Sequence, residues 1–303
     1  MQIFLYLCAM KSKIGQIFIR IATWLGILLG LTIVAVLLWQ LIFHGSQTTA
    51  SLKWLQCLQT IATFLLPPIL CALIWDADRR PFSWLKMDQP VHWEYLLWGF
   101  GIMICALPAI NFLADLNSRL QLPESLDFIE QFLRQQEDNA AALTQRFLQA
   151  DNIGVLFINI ALMALLPALS EELSFRGTLQ QIISNKSQIT NNQSTIHVAV
   201  WVTAIVFSAI HMQFYGFIPR MLLGAMLGYA FVWTGSLWVP ILMHFTNNAV
   251  AVIAYYLSDD GQTADSINYA DTFGAGTTWY IGLISLVITC LGLLIFYRRT
   301  HKQ

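Results

Sequence analysis

Of the 303 residues, 57% are hydrophobic and only 11% are charged, against roughly a quarter charged in an average soluble domain. Water is therefore excluded as the main solvent of this surface, and a lipid bilayer is the natural alternative. With 16 basic and 17 acidic residues the net charge is −1, which excludes a nucleic-acid partner held by a broad basic face.

In chain order, the first ten residues are apolar and Lys11 and Lys13 come after them. That reverses the charge order of a cleavable signal peptide, so the N-terminus is expected to be retained. Eight segments approach the roughly 20 apolar residues needed to cross a hydrocarbon core of about 30 Å. They are 17–43, 54–75, 93–114, 153 to beyond 170, 196–212, 219–233, 237–257 and 278–297. Lys11, Lys13 and Arg20 precede the first span, Arg79, Arg80 and Lys86 separate the second from the third, and Arg298, Arg299 and Lys302 follow the last. Short basic loops are retained in the cytoplasm, so both termini are expected there. The segment 258–276 carries Asp259, Asp260, Asp265 and Asp271 without Lys or Arg, and an eight-span count places it outside. Between the third and fourth spans, 122–150 has mixed charge, with Leu126, Phe128, Ile129, Phe132 and Leu133 spaced for an apolar stripe. It reads as an interfacial or capping helix. The segment 184–194, rich in Asn, Ser and Gln, reads as a loop. Cys8, Cys57, Cys71, Cys105 and Cys290 show no C-x-x-C spacing; they read as small core hydrophobes rather than a disulfide framework or thiolate metal site.

Polarity set where lipid should exclude it is the informative feature, because ionisable groups inside spans are costly and as a rule face a cavity or carry function. The run Ser170-Glu171-Glu172-Leu173-Ser174-Phe175-Arg176-Gly177 follows the apolar stretch that contains Pro167. On a helix Glu172 and Arg176, at i and i+4, share a face and can pair. Glu171 points about 100° away, so one carboxylate can be held while the other stays available. A carboxylate in a poorly solvated cavity holds its proton more tightly, which suits a general base for water near neutral pH; Glu171 is that candidate. His211 lies four residues after Phe207, and His244 and Asn248 share a face of the seventh span. Imidazole can polarise or relay a proton, and the Asn amide can donate to an oxyanion without a change of charge.

Depth offers a check. At about 1.5 Å per residue, Glu171 lies roughly 20 Å from the cytoplasmic end of the fourth helix, and His211 roughly 21 Å along the fifth. Asn248 lies roughly 18–20 Å into the seventh and His244 one turn shallower. All four side chains are expected to line one cavity.

These residues resemble the CPBP family of CAAX proteases and bacteriocin-processing enzymes, also called the Abi family, which is related to the type II CAAX prenyl endopeptidases. The family's E-E-x-x-x-R is matched by Glu171, Glu172 and Arg176, its F-x-x-x-H by Phe207 and His211, and its H-x-x-x-N by His244 and Asn248. The resemblance covers 165–250. It implies an all-α intramembrane endopeptidase, a metalloprotease by one naming, whose site is reached from the cytoplasm of a bacterial cell. It further implies that Glu171 and His211 activate water, that His244 and Asn248 stabilise the oxyanion, and that Glu172 and Arg176 position the site. Zinc held by Glu171, His211 and His244 is one option under this resemblance, although the H-E-x-x-H spacing of a zincin is absent; no cofactor is otherwise required. The expected partners are membrane lipids and a peptide or membrane-protein substrate. The expected division is 1–150, with three spans and the interfacial helix, 151–257, the catalytic core, and 258–303, the external loop and last span.

Plainer readings stand beside these. Singly, Glu172 and Arg176 make an ordinary helix-end ion pair, and a lone membrane histidine is more often a hydrogen-bonded core residue; three ordered motifs at matched depth favour a functional cavity. Arg220 beside Pro219 reads as an interface anchor, and the 11 tryptophans as mostly headgroup-level belt residues. Gly224 and Gly228 read as close internal packing, and Pro167 and Pro240 as kinks. A non-catalytic scaffold or immunity protein of the same fold is the main alternative. A proton-coupled transporter would show repeated halves, and none is evident.

Overall fold

Backbone groups in hydrocarbon have no water to bond, so a spanning chain must satisfy them within itself. The computed structural model describes residues 2–76, 80–184, 193–257 and 273–301, and among these every regular element is helical. The expected loop 184–194 and the acidic segment 258–276 fall for the most part outside the described residues. Two units gather the helices: 1–89 with 169–203, and 90–168 with 204–303.

In the first unit α1 (Gln2–Phe43) is followed by α2 (Thr49–Thr60), whose N-cap Thr48 accepts from the Ser51 amide. The Trp39 indole is buried and donates to the Ser51 carbonyl at 2.8 Å. Trp24 is buried as well. A π-helical turn, Ile61–Leu65, separates α2 from α3 (Leu66–Trp75). Proline explains it. Pro67 and Pro68 bring no N–H to the turn before them, so the register widens and the Leu66 amide reaches back to the Ile61 carbonyl. A short α4 (Pro81–Trp84) follows, its Trp84 packed 5.5 Å from Trp75.

The second unit is built on α5 (Trp93–Ser118). Pro108 lies within it, and the adjacent ladder is repaired from outside: the Ser285 hydroxyl accepts from the Ala109 amide and donates to the Cys105 carbonyl. Ser285 belongs to α13 (Trp279–Thr300), which packs along α5. Gly274 lies against the Pro108 backbone and Gly282 against Phe112, so close that a Cβ at either position would collide. The amphipathic α6 (Asp127–Leu148) turns Ile129 and Leu133 inward, while Phe128 and Phe132 remain exposed. The expected stripe is thus split, because Phe128 stands about 100° from Ile129 on the helix. Apolar residues on the outer face suit a helix lying on a membrane surface.

The motif-bearing run Ile153–Ser184 comprises α7 (Ile153–Asn159), a π turn (Ile160–Leu165), α8 (Leu166–Ser174), a second π turn (Phe175–Gln180) and α9 (Gln181–Ser184). Then come α10 (Gln193–Ala209), α11 (Phe217–Thr234) and α12 (Trp238–Leu257). Pro240 is the third residue of α12; its missing N–H is one that a helix start leaves unbonded anyway, so it makes no kink. Gly224 lets α11 approach Ala204 and Phe207 closely, which is the internal packing expected of it. A shared core holds Met103, Leu227, Met243 and Phe296.

Among the described residues six helices are long and apolar enough to cross a membrane: Gly15–Phe43, Thr49–Trp75, Trp93–Ser118, Ile153–Ser184, Phe214–Thr234 and Gly276–Thr300. Of the two other expected spans, Thr195–Ala209 is apolar but shorter, and the 20-residue α12 is diluted by His244, Asn247 and Asn248. Large apolar side chains such as Leu37, Leu41, Val287 and Leu291 are exposed, as expected of an integral membrane protein whose solvent is lipid. Cys105 and Cys290 share that exposure, and only Cys71 among the described cysteines is a buried core residue.

Candidate active site

Pro167 has no N–H for the carbonyl four residues earlier, and the turn before it takes the π register, with the Leu166 amide on the Ala161 carbonyl. Pro167 is thereby absorbed into a local register change, the form in which such π bulges recur at functional sites. A second wide turn begins at Phe175, where the Thr178 hydroxyl donates to the Leu173 carbonyl. The two acidic residues therefore stand on the short regular stretch α8, bounded on both sides.

Within the first unit this stretch is pinned. Pro68 cannot supply an amide to the Phe64 carbonyl, and the Ser174 hydroxyl donates to that oxygen at 3.0 Å. The Phe64 and Phe175 rings pack 5.8 Å apart, and the Gln181 amide donates to the Trp84 carbonyl. Glu172 and Arg176 are both fully buried, and the Arg176 guanidinium donates to Glu172 Oε1 at 2.7 Å. Glu171, one residue earlier and on another face, is only partly buried. The structure thus separates the two adjacent carboxylates by burial and by face, with Glu172 the one gripped by Arg176.

Within the second unit, α10 ends at Ala209, and His211 stands in the turn just beyond it rather than inside the helix. Its Nδ1 lies 2.7 Å from the Phe207 carbonyl. A carbonyl can only accept, so Nδ1 carries the proton and Nε2 presents its lone pair. The buried Phe207 ring separates two imidazoles, with its centroid 5.2 Å from that of His211 and 5.9 Å from that of His244. His244 is buried on α12, and Asn248 lies one turn further along. The Asn247 amide donates to Asn248 Oδ1 at 3.0 Å. With its oxygen so occupied, Asn248 is oriented to offer its NH₂ elsewhere. Neighbouring residues on a helix do not ordinarily face each other, so spacing gave no sign of Asn247. On the expected role of Asn248 as an oxyanion donor, Asn247→Ala should slow turnover about tenfold and Asn248→Ala roughly 100-fold or more, the scale of losing one such donor. Membrane-inserted protein should stay constant in both, and rates measured at matched expression check the order.

Further polar residues surround the turn after His211. Arg220 donates to Gln213 Oε1 at 2.8 Å, and Gln213 donates to Glu137 Oε1 at 3.3 Å. Arg220 is thus drawn into a hydrogen-bonded network with Gln213 and Glu137. Beside it the Arg134 guanidinium stacks 4.4 Å from the Tyr215 ring and pairs with Glu130 at 2.6 Å, tying α6 to this turn. Burial pushes the Glu137 carboxyl above the usual carboxylate range, opposed by the Arg220 charge and the Tyr215 amide. Because the folded state binds this proton more tightly than the unfolded chain, the contribution is present at low pH and is lost as pH rises through the raised value. Replacing the carboxyl by an amide in Glu137→Gln should flatten, by about a degree or two, the fall of Tm that sets in as pH rises above the ordinary carboxylate range, as read from paired melts, since a half-exposed group is well screened.

Among the described residues no three His, Cys, Asp or Glu side chains are grouped as a metal ion would require.

Residues 153–250 match the family model described as Type II CAAX prenyl endopeptidase Rce1-like. That interval contains Glu171, Glu172, Arg176, His211, His244 and Asn248, so the resemblance carried by the three motifs is upheld by the match. The "Uncharacterized protein YpbD" of Bacillus subtilis (strain 168) is 31% identical over 96 residues, covering 30% of this chain and 43% of that protein. The chain thus spans less than half the length of that relative. No solved structure matches.

Proposed function

We propose that the protein is an intramembrane endopeptidase that hydrolyses a peptide bond in a membrane-associated, lipidated or precursor peptide. The observation that supports this best is the separation of two adjacent carboxylates, Glu172 locked to Arg176 inside the protein and Glu171 left on a different face. An ion pair alone needs only one of them.

In this reading Glu171 takes a proton from water as its oxygen adds to the scissile carbonyl carbon, with His211 Nε2 accepting from the same water. The oxyanion that forms is met by the Asn248 NH₂ and by His244. Collapse breaks the C–N bond, and the proton held by Glu171 passes to the departing amine. Water is thereby divided between a new carboxyl and a new amino terminus. Glu172 and Arg176 touch no reacting atom and act by holding α8 in place. The site would open to the cytoplasmic side of a bacterial membrane, with both chain termini on that side, in keeping with the basic flanks at 11–20, 79–86 and 298–302.

The test compares the termini of membrane proteins and peptides in cells carrying wild type, Glu171→Gln or Asn248→Ala at matched expression. Termini present with wild type and missing with both variants are the expected result, and they name the substrates. Identical termini in all three would overturn the endopeptidase reading in favour of a scaffold or immunity role.

A further inference from the structure

Away from the residues above, α5 and α13 leave an open cavity of about 520 Å³ between them. Its walls include Leu97, Gly101 and Ile288, and a charged residue stands on each helix at one end: Glu94 in the first turn of α5 and Arg299 in the last turn of α13. From Glu94 to Cys105, and equally from Ile288 to Arg299, the lining covers 11 helical steps, roughly 16 Å. That is about half of a 30 Å hydrocarbon core, one leaflet deep. Gly101 has nothing within 4 Å of where its Cβ would be, so this glycine opens the cavity rather than permitting a helix contact.

The charged end carries the assignment. The Arg299 guanidinium lies 5.4 Å from the Trp98 ring, which fixes it at the mouth as a phosphate donor. Glu94 is exposed, and no ion pair joins it to Arg299 among the described residues. A cation and an anion at one end of an apolar slot complement a headgroup that carries both charges. We propose that this cavity binds a phospholipid with a primary-amine headgroup, its phosphate on Arg299, its ammonium on Glu94 and an acyl chain along Gly101. A quaternary ammonium has no N–H to donate to the carboxylate, and a headgroup without a cation leaves Glu94 facing a phosphate. Both classes should bind more weakly.

Native mass spectrometry of the full-length protein, delipidated and then offered equal amounts of phosphatidylethanolamine, phosphatidylcholine and phosphatidylglycerol with the same acyl chains, tests this. Wild type should retain phosphatidylethanolamine about tenfold over either competitor, the worth of one charge-assisted hydrogen bond. Glu94→Gln should erase the preference over phosphatidylcholine, Arg299→Gln should lower retention of all three, and Gly101→Leu should abolish it while melting as wild type does. Equal or better retention of phosphatidylglycerol, or a preference that survives Glu94→Gln, would overturn the assignment. So would displacement of the lipid by a farnesylated peptide that depends on Gly101, which would give the slot to a lipidated peptide instead. The Glu94 and Arg299 variants change exposed groups, so the assignment stays testable if Gly101→Leu folds poorly.

Discussion

Glu171→Gln is expected to reduce peptide-bond cleavage roughly 10³-fold or more while membrane-inserted protein stays at the wild-type level. The amide keeps the size and one acceptor oxygen of the carboxylate but cannot take a proton from water, so the loss is that of a general base. Glu171 is partly buried and its charge also acts on Arg176, but the 2.7 Å contact of Arg176 is with Glu172; neutralising Glu171 leaves that contact in place and is expected to keep the fold. The rate at which new termini appear, measured with extraction yield and Tm on the same preparations, separates the two effects. A Glu171→Gln protein that still cleaves at the wild-type rate would remove this residue from the chemistry. Loss of cleavage in step with loss of folded protein would return it to a structural role.

The adjacency of Glu171 and Glu172 was legible because the 100° helical step assigns neighbouring side chains to different faces before any packing is known. Glu172 with Arg176 was legible for the complementary reason, as i, i+4 neighbours on one face. His211 itself stands just past its helix, held by a backbone carbonyl that spacing had no means to indicate. The π turns before Pro67 and Pro167 were hidden because hydrophobic pattern records faces and not backbone register. Asn247, Gln213 and Glu137 act through the aim of an amide or through partners as far as 76 residues away, and neither is periodic.

Arg176→Met is expected to abolish most of the folded protein, because Glu172 would then be a fully buried carboxylate without its cation. Breaking such a pair from one side costs about 3–5 kcal/mol, whereas exchanging both partners for apolar residues of similar volume is often neutral or stabilising. Glu172→Leu combined with Arg176→Met should therefore recover the yield and Tm that the single change loses. Cleavage by the double variant then decides what the pair is for. If Glu172 and Arg176 only hold α8 in register, activity should return with folding, less a modest factor of about ten for imperfect placement of Glu171. A double variant that folds as wild type and cleaves nothing would move the pair into the reaction itself. One that fails to fold would show that Ser174, Phe175 and Gln181 cannot anchor this stretch without the charges.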